Sequence, residues 1–418
     1  ARSFAVFSSP PSSAASLMAG ASKSGSLPCV EYLYSVGQRG NAEAMRAAAG
    51  AGCASLIRFL LEHNCPTDPT AHIGEQMLRK EKVSFEEAKV LFEMGVPWDA
   101  RTMAAFAGTG CLEGMQYLRE RGCPWDEITC GRAARGGHLE CLKYAHENRC
   151  PWSVAVYTPT IFQQSVVTQA ASAPTLDCLK YVVERGAPLY CEAVIDALKV
   201  RSMPVVQYLL SVGCPLDAWA CAIVTKNSDK PATEDLVFLR LLREHNCPWD
   251  ATACYAAAVK GDVECLRFAH ENGCPWDATT CSAAAKAGSL ECLQYAHSNG
   301  CPWDEETCAA AASAKSYEIL KYARDHGCPW DARTSAAAAS RVLSSLVEEE
   351  YAEKARALSF FKFVHEQGCP WDRETVRRAG SREIYEYAVE HGCPGAETSM
   401  YSFANYEQDY FEGFWYML

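Results

Sequence analysis

The stretch Cys274-Pro275-Trp276-Asp277 returns at Cys301-Pro302-Trp303-Asp304 and again at Cys328-Pro329-Trp330-Asp331, 27 residues apart each time. Further copies stand at Cys123-Pro124-Trp125-Asp126, Cys150-Pro151-Trp152 and Cys247-Pro248-Trp249-Asp250. A fixed period of this size marks small units that cannot bury a core alone and must stack on their neighbours.

The unit from Asp277 to Asp304 reads as helix, turn, helix. Asp277 precedes Ala278-Thr279-Thr280-Cys281-Ser282-Ala283-Ala284-Ala285 and sits where an N-cap carboxylate accepts the free N–H groups of a first turn. Gly288 breaks that helix. A second helix follows over Leu290–His297, with Leu290, Leu293, Tyr295 and Ala296 spaced for one buried face, and Gly300 ends it. At the last position the units carry Gly95, Gly122, Gly186, Gly213, Gly273, Gly300, Gly327, Gly368 and Gly392, with Asn64, Asn246 and Arg149 as the exceptions. Gly and then Asn best tolerate the left-handed backbone of a helix C-terminus, so the slot is a helix stop. The proline after each Cys forbids continuation.

Thr279-Thr280-Cys281-Ser282-Ala283-Ala284-Ala285-Lys286-Ala287-Gly288 and the turn Gly137-His138-Leu139-Glu140 resemble the corresponding stretches of the ankyrin repeat. The period of 27 is shorter than the ankyrin 33, which implies a projecting β-hairpin trimmed to a tight turn. The resemblance covers roughly residues 28–396. It implies an all-α, ankyrin-like helix-turn-helix repeat solenoid that contacts proteins through variable surface residues.

The chain of 418 residues carries a net charge of −12, which argues against a nucleic-acid partner. No apolar run reaches the length of a transmembrane helix, although association with a membrane complex stays open. The 23 cysteines recur in repeat slots, as in Cys247, Cys254, Cys265 and Cys274, Cys281, Cys292. They read as small buried hydrophobes kept reduced, which places the protein in a reducing intracellular compartment.

Residues 1–27 are Ser- and Ala-rich, with no acid before Glu31, and read as an extended arm; the composition suggests a plastid or mitochondrial protein, otherwise a cytoplasmic one. Cys29–Gly37 parallels Cys292–Gly300, an outer helix without its inner mate, hence a half-repeat cap ahead of about twelve units. Two of the longer units place their extra residues between the helices, at Asn227–Pro231 and at Glu348–Tyr351. Residues 397–418 form an aromatic tail with Tyr401, Phe403, Tyr406, Tyr410, Phe411, Phe414, Trp415 and Tyr416, which either folds back as a cap or binds a partner.

No P-loop, zincin or nucleophile-elbow motif occurs, so no catalytic residue and no cofactor site is expected. The nearest cysteines are seven apart and C-x-x-C is absent, so no metal site is expected either. Histidines near the ends of the second helices, among them His146, His270, His297 and His365, fit the preference of helix C-termini for cations. Trp98, Trp125, Trp152, Trp249, Trp276, Trp303, Trp330 and Trp371 occupy one slot and read as wedges between repeats, with Leu189 and Leu216 standing in twice. The sequence thus points to a non-catalytic interaction scaffold, a subunit of a large assembly held through the solenoid and its terminal extensions. A free-standing adaptor and a thiol-rich redox or metal-handling protein are the alternatives.

Overall fold

The computed structural model describes residues 12–68, 72–78, 83–152, 165–226, 232–340 and 350–395. Among them every regular element is a helix, and the helices alternate as inner and outer members of successive pairs, an all-α repeat solenoid. They fall into two compact units, residues 1–215 and 216–418, where the sequence suggested one unbroken array.

The first unit holds seven pairs: α1–α2 (Ser12–Lys23, Leu27–Ser35), α3–α4 (Ala42–Ala51, Ala54–Glu62), α5–α6 (Ile73–Leu78, Phe85–Glu93), α7–α8 (Ala100–Thr109, Leu112–Glu120), α9–α10 (Glu127–Gly136, Leu139–Glu147), α11–α12 (Val166–Ala171, Asp177–Glu184) and α13–α14 (Cys191–Lys199, Met203–Ser211). The second holds six: α15–α16 (Ala218–Lys226, Ala232–Glu244), α17–α18 (Ala251–Lys260, Val263–Glu271), α19–α20 (Ala278–Lys286, Leu290–Ser298), α21–α22 (Glu305–Ser313, Tyr317–Asp325), α23–α24 (Ala332–Ala339, Glu350–Glu366) and α25–α26 (Arg373–Arg377, Arg382–Glu390). Within each unit inner helices pack on inner helices, and outer helices pack on their own inner partners in most pairs.

Small side chains explain the inner row. Ala309–Ala312 are all buried, as are Ala336–Ala339, because an inner helix touches a neighbour on either side and its outer helix behind. The outer helices keep one apolar face. In α20 that face is Cys292, Leu293 and Ala296, while Leu290 and Tyr295, expected to join it, are only half-buried at its margins.

The helix ends follow the expected chemistry. Asp99, Asp126, Asp250, Asp277, Asp304, Asp331 and Asp372 are N-caps whose carboxylates accept N–H groups of the first turn. Gly300 has φ +84°, and the two asparagines and the arginine in its slot take the same left-handed turn: Asn64 at +53°, Asn246 at +56° and Arg149 at +65°. No strand separates the repeats among the described residues.

Two boundaries differ from the sequence reading. Ser12–Lys23 is not extended arm but a helix, packed on α3 with Met18 buried. It supplies the inner mate that the cap α2 was expected to lack: its Ser- and Ala-rich composition, read as a sign of an arm, suits the small-residue inner row. Residues 1–11 lie outside the described set. The segment expected as a loop at Glu348–Tyr351 already belongs to α24 from Glu350 on, so this insertion lengthens an outer helix to 17 residues. Asn227–Pro231 lies outside the described residues, between α15 and α16.

Candidate binding face and side-chain ladders

The Cys-Pro-Trp-Asp turn ties each repeat to the next. After the left-handed residue, the Cys301 N–H returns to the Ala296 carbonyl at 3.0 Å. The Cys301 thiol then donates to the carbonyl of Asp277, the N-cap one repeat earlier, at 3.3 Å. That carbonyl also accepts the Thr280 N–H at 3.0 Å, so the thiol reaches an oxygen that already serves the first turn of α19. The same bond recurs from Cys65, Cys123, Cys150, Cys214, Cys247, Cys274, Cys328, Cys369 and Cys393, at 3.1 to 3.4 Å. All 23 cysteines are free, and all but Cys29, Cys53, Cys111 and Cys191 are buried. Burial pushes the thiols of Cys65, Cys178, Cys292, Cys369 and Cys393 up to about 11 and those of Cys123, Cys141 and Cys214 to about 12. Such thiols are poor nucleophiles.

The tryptophans form a second ladder. All eight motif rings are half-buried. Trp303 stacks on His297, 3.8 Å between ring centres, and meets the edge of Tyr322 from the next outer helix at 6.4 Å. His297 Nδ1 hydrogen-bonds the Tyr322 hydroxyl at 3.1 Å. The same trio is built by Trp152, His146 and Tyr181, by Trp276, His270 and Tyr295, and by Trp371, His365 and Tyr387. Where the histidine slot holds arginine, the guanidinium of Arg119, Arg243 or Arg324 lies over Trp125, Trp249 or Trp330 and donates to the carbonyl of the motif cysteine. Trp125, Trp152, Trp249, Trp276 and Trp303 thus meet an aromatic ring of the next outer helix, while the ring contacts of Trp98 and Trp330 are with Phe92 and Arg324 of their own repeat. The helix-dipole reading of the histidines needs correction for His146, His297 and His365, whose pKa values desolvation pushes down, towards the neutral ring.

Little of this can do chemistry. The His72–Asp99 pair, 2.5 Å apart, is the nearest approach to a catalytic dyad. It anchors the residue before α5 to the N-cap of α7, and no described hydroxyl or thiol donates to His72.

One surface stands apart. A cleft of about 350 Å³ opens along α5, α7 and α9 and is lined by Arg101, Arg132 and Arg135 with Glu75 and Ile128. Arg101 lies 4.0 Å from Glu75, while neither Arg132 nor Arg135, both exposed, has an ion-pair partner among the described residues. The sequence reading missed this cluster because the three arginines belong to two repeats and only stacking brings them together.

A second grouping was also invisible in sequence spacing: Asp235, Asp262 and Cys265, all buried, place one potential metal-ligand atom each within 4.8 Å of the others. The aromatic tail from Tyr401 to Tyr416 lies outside the described residues. Among the described residues no helix is long and apolar enough to cross a membrane.

No protein-family model matches the chain, and no curated protein matches it. Among solved structures it is similar to the pentatricopeptide repeat protein PPR10 from maize, with a TM-score of 0.36 and 13% identity over 89% of this chain and 61% of that one. The chain thus spans less than two thirds of that protein's length.

Proposed function

We propose that this chain is a non-catalytic, ankyrin-type scaffold for protein partners, a subunit of a larger assembly in a compartment that keeps thiols reduced, and that the cleft on α5, α7 and α9 receives an acidic segment of a partner protein. The observation that carries the reading is the trio Arg101, Arg132 and Arg135, a local positive site on a chain of net charge −12. Guanidinium groups bind carboxylates bidentately, and two of the three have no ion-pair partner among the described residues. The ankyrin-type reading is supported by Thr279–Lys286 falling on the inner helix α19, with Gly288 left-handed just beyond it. The aromatic tail is a second grip in this proposal, and the overall acidity of the chain disfavours nucleic acid.

The test is cross-linking and native mass of the protein isolated gently from its source, alongside the double variant Arg132→Glu/Arg135→Glu. A large particle that cross-links near the cleft and loses this subunit in the variant supports the proposal. A chain running alone near 46 kDa leaves the adaptor reading instead. Salt-dependent binding of single-stranded RNA at the same arginines would overturn the choice of a protein partner.

A further inference from the structure

Asp235 and Asp262 are 27 residues apart and hold the same repeat position, one rung above the other, on α16 and at the start of α18. The next rungs carry Ser289 and Ser316, neutral N-caps of α20 and α22. Two acids on consecutive rungs therefore face a dry repeat interface: Asp235 is 0% exposed and Asp262 is 7% exposed. Lys260 answers the first of them, its Nζ 2.6 Å from Asp235 Oδ2. Asp262 spends Oδ1 on the Cys265 N–H at 3.0 Å. Its Oδ2 is buried and has no hydrogen-bond partner. Lys260 thus pairs with Asp235, while Asp262 keeps a carboxylate oxygen without a hydrogen-bond partner in a dry interface, a costly arrangement for a fold to hold.

Cys265 completes the geometry. Its thiol is one of three potential ligand atoms, with a carboxylate oxygen from each aspartate, that lie within 4.8 Å of one another. We propose that these three residues bind a divalent cation of zinc type. The donor set, two carboxylates and one sulfur, suits a borderline metal better than calcium or magnesium, which take oxygen alone. Zinc bonds of about 2.0 Å to oxygen and 2.3 Å to sulfur set ligand-to-ligand edges of roughly 3.3–3.6 Å, so atoms no more than 4.8 Å apart need only a small closure on loading. The charges then balance. On binding, the Cys265 S–H bond breaks, its proton goes to solvent, and the thiolate's electron pair goes to the metal. Two carboxylates and a thiolate offset one dication and Lys260. Lys260 stays on one oxygen of Asp235 as an outer partner while the other oxygen takes the metal. A water fills the fourth position. The ion joins the α15–α16 and α17–α18 pairs, and its role is structural.

The experiment uses the full chain, purified reduced, stripped by chelator and titrated with Zn²⁺ and separately with Co²⁺. One metal per chain is expected, with release of one proton, a rise in thermal midpoint, and a cobalt–thiolate charge-transfer band. Cys265→Ser and Asp262→Asn, the latter keeping the N-cap acceptor, should each weaken binding at least tenfold, and Cys265→Ser should abolish the cobalt band. Cys292→Ser, the same slot one repeat on, should retain both. Circular dichroism confirms that each variant folds, and Cys265→Ala serves if the serine does not. A cobalt band that survives in Cys265→Ser, or a reduced wild-type chain that binds no metal while Asp262→Asn is more stable than wild type, overturns the proposal.

Discussion

Raising the pH above about 9 should unfold this protein. The unfolded chain ionises its thiols near 8.5. In the folded chain burial holds eight of them, Cys65, Cys123, Cys141, Cys178, Cys214, Cys292, Cys369 and Cys393, at about 11 to 12. A raised folded-state pKa means that the unfolded chain releases protons first. Stability is therefore complete below 8.5, falls as the pH rises past it, and stops falling near the folded values. Each such thiol costs about 1.4 kcal/mol per pH unit across that window, so eight cost about 11, and halving for solvent screening leaves about 5 kcal/mol per pH unit. That rivals the whole stability of an ordinary domain. The assay is urea denaturation followed by helix circular dichroism at pH 8, 9, 9.5 and 10, in reductant. The expected result is a midpoint that drops steeply above pH 9, with a shallower slope in a variant carrying Cys→Ala at Cys123, Cys141 and Cys214. A midpoint flat to pH 10, or native-state labelling at pH 8 of many thiols beyond Cys29, Cys53, Cys111 and Cys191, refutes the buried-thiol argument.

Three substitutions probe the other parts of the repeat. Arg149 sits left-handed at φ +65° in a slot that otherwise takes Gly or Asn, so Arg149→Gly should stabilise by about 0.5–1 kcal/mol, strain relief outweighing glycine's extra chain entropy; destabilisation on chemical denaturation would contradict the helix-stop reading. The Thr307 hydroxyl is fully buried with no hydrogen-bond partner, so Thr307→Val should stabilise by about 1 kcal/mol, seen as a higher urea midpoint; a destabilisation of that size would show that the hydroxyl is bonded after all. His297→Ala removes the stack on Trp303 and the Tyr322 hydrogen bond and should cost about 1–3 kcal/mol at pH 8. Because desolvation lowers the His297 pKa, its contribution is complete above about 6.5 and fades as the pH falls, so wild type and variant should converge towards pH 5; a gap that widens there would mean the charged ring is the stabilising form.

Where one repeat suffices to define a feature, the sequence was a good guide. Asp caps, left-handed glycines and the tryptophan slot depend on residues a few positions apart, and each appears where the spacing put it. The features that were missed depend on two repeats at once. The partner of the Cys301 thiol is 24 residues back, the arginine cleft draws on α7 and α9, and Asp235 meets Asp262 across a full period. Periodicity says that repeats stack but not which side chains the stack brings together. Composition misled at Ser12–Lys23 because small polar residues mark both a flexible arm and a helix that must pack closely.

The slot chemistry also explains why recognition is left to so few places. No strand lies between these repeats among the described residues, so aligning one on the next falls to side chains. The motif cysteine is small enough to be buried and still donates to the previous N-cap carbonyl, which alanine or valine cannot do. Tryptophan stacked on histidine fixes the other side of the turn, the histidine bonding a tyrosine of the next outer helix, while arginine in the histidine slot bonds the carbonyl of its own motif cysteine. Residues committed in this way are constrained at every rung and cannot also vary to suit a ligand. What remains free to vary is the outward positions of the inner helices, where Arg132 and Arg135 stand, and the joints that tolerate insertion. A partner that recognises this chain should therefore read those positions, and exchanging Arg132 or Arg135 should alter binding while leaving the urea midpoint unchanged.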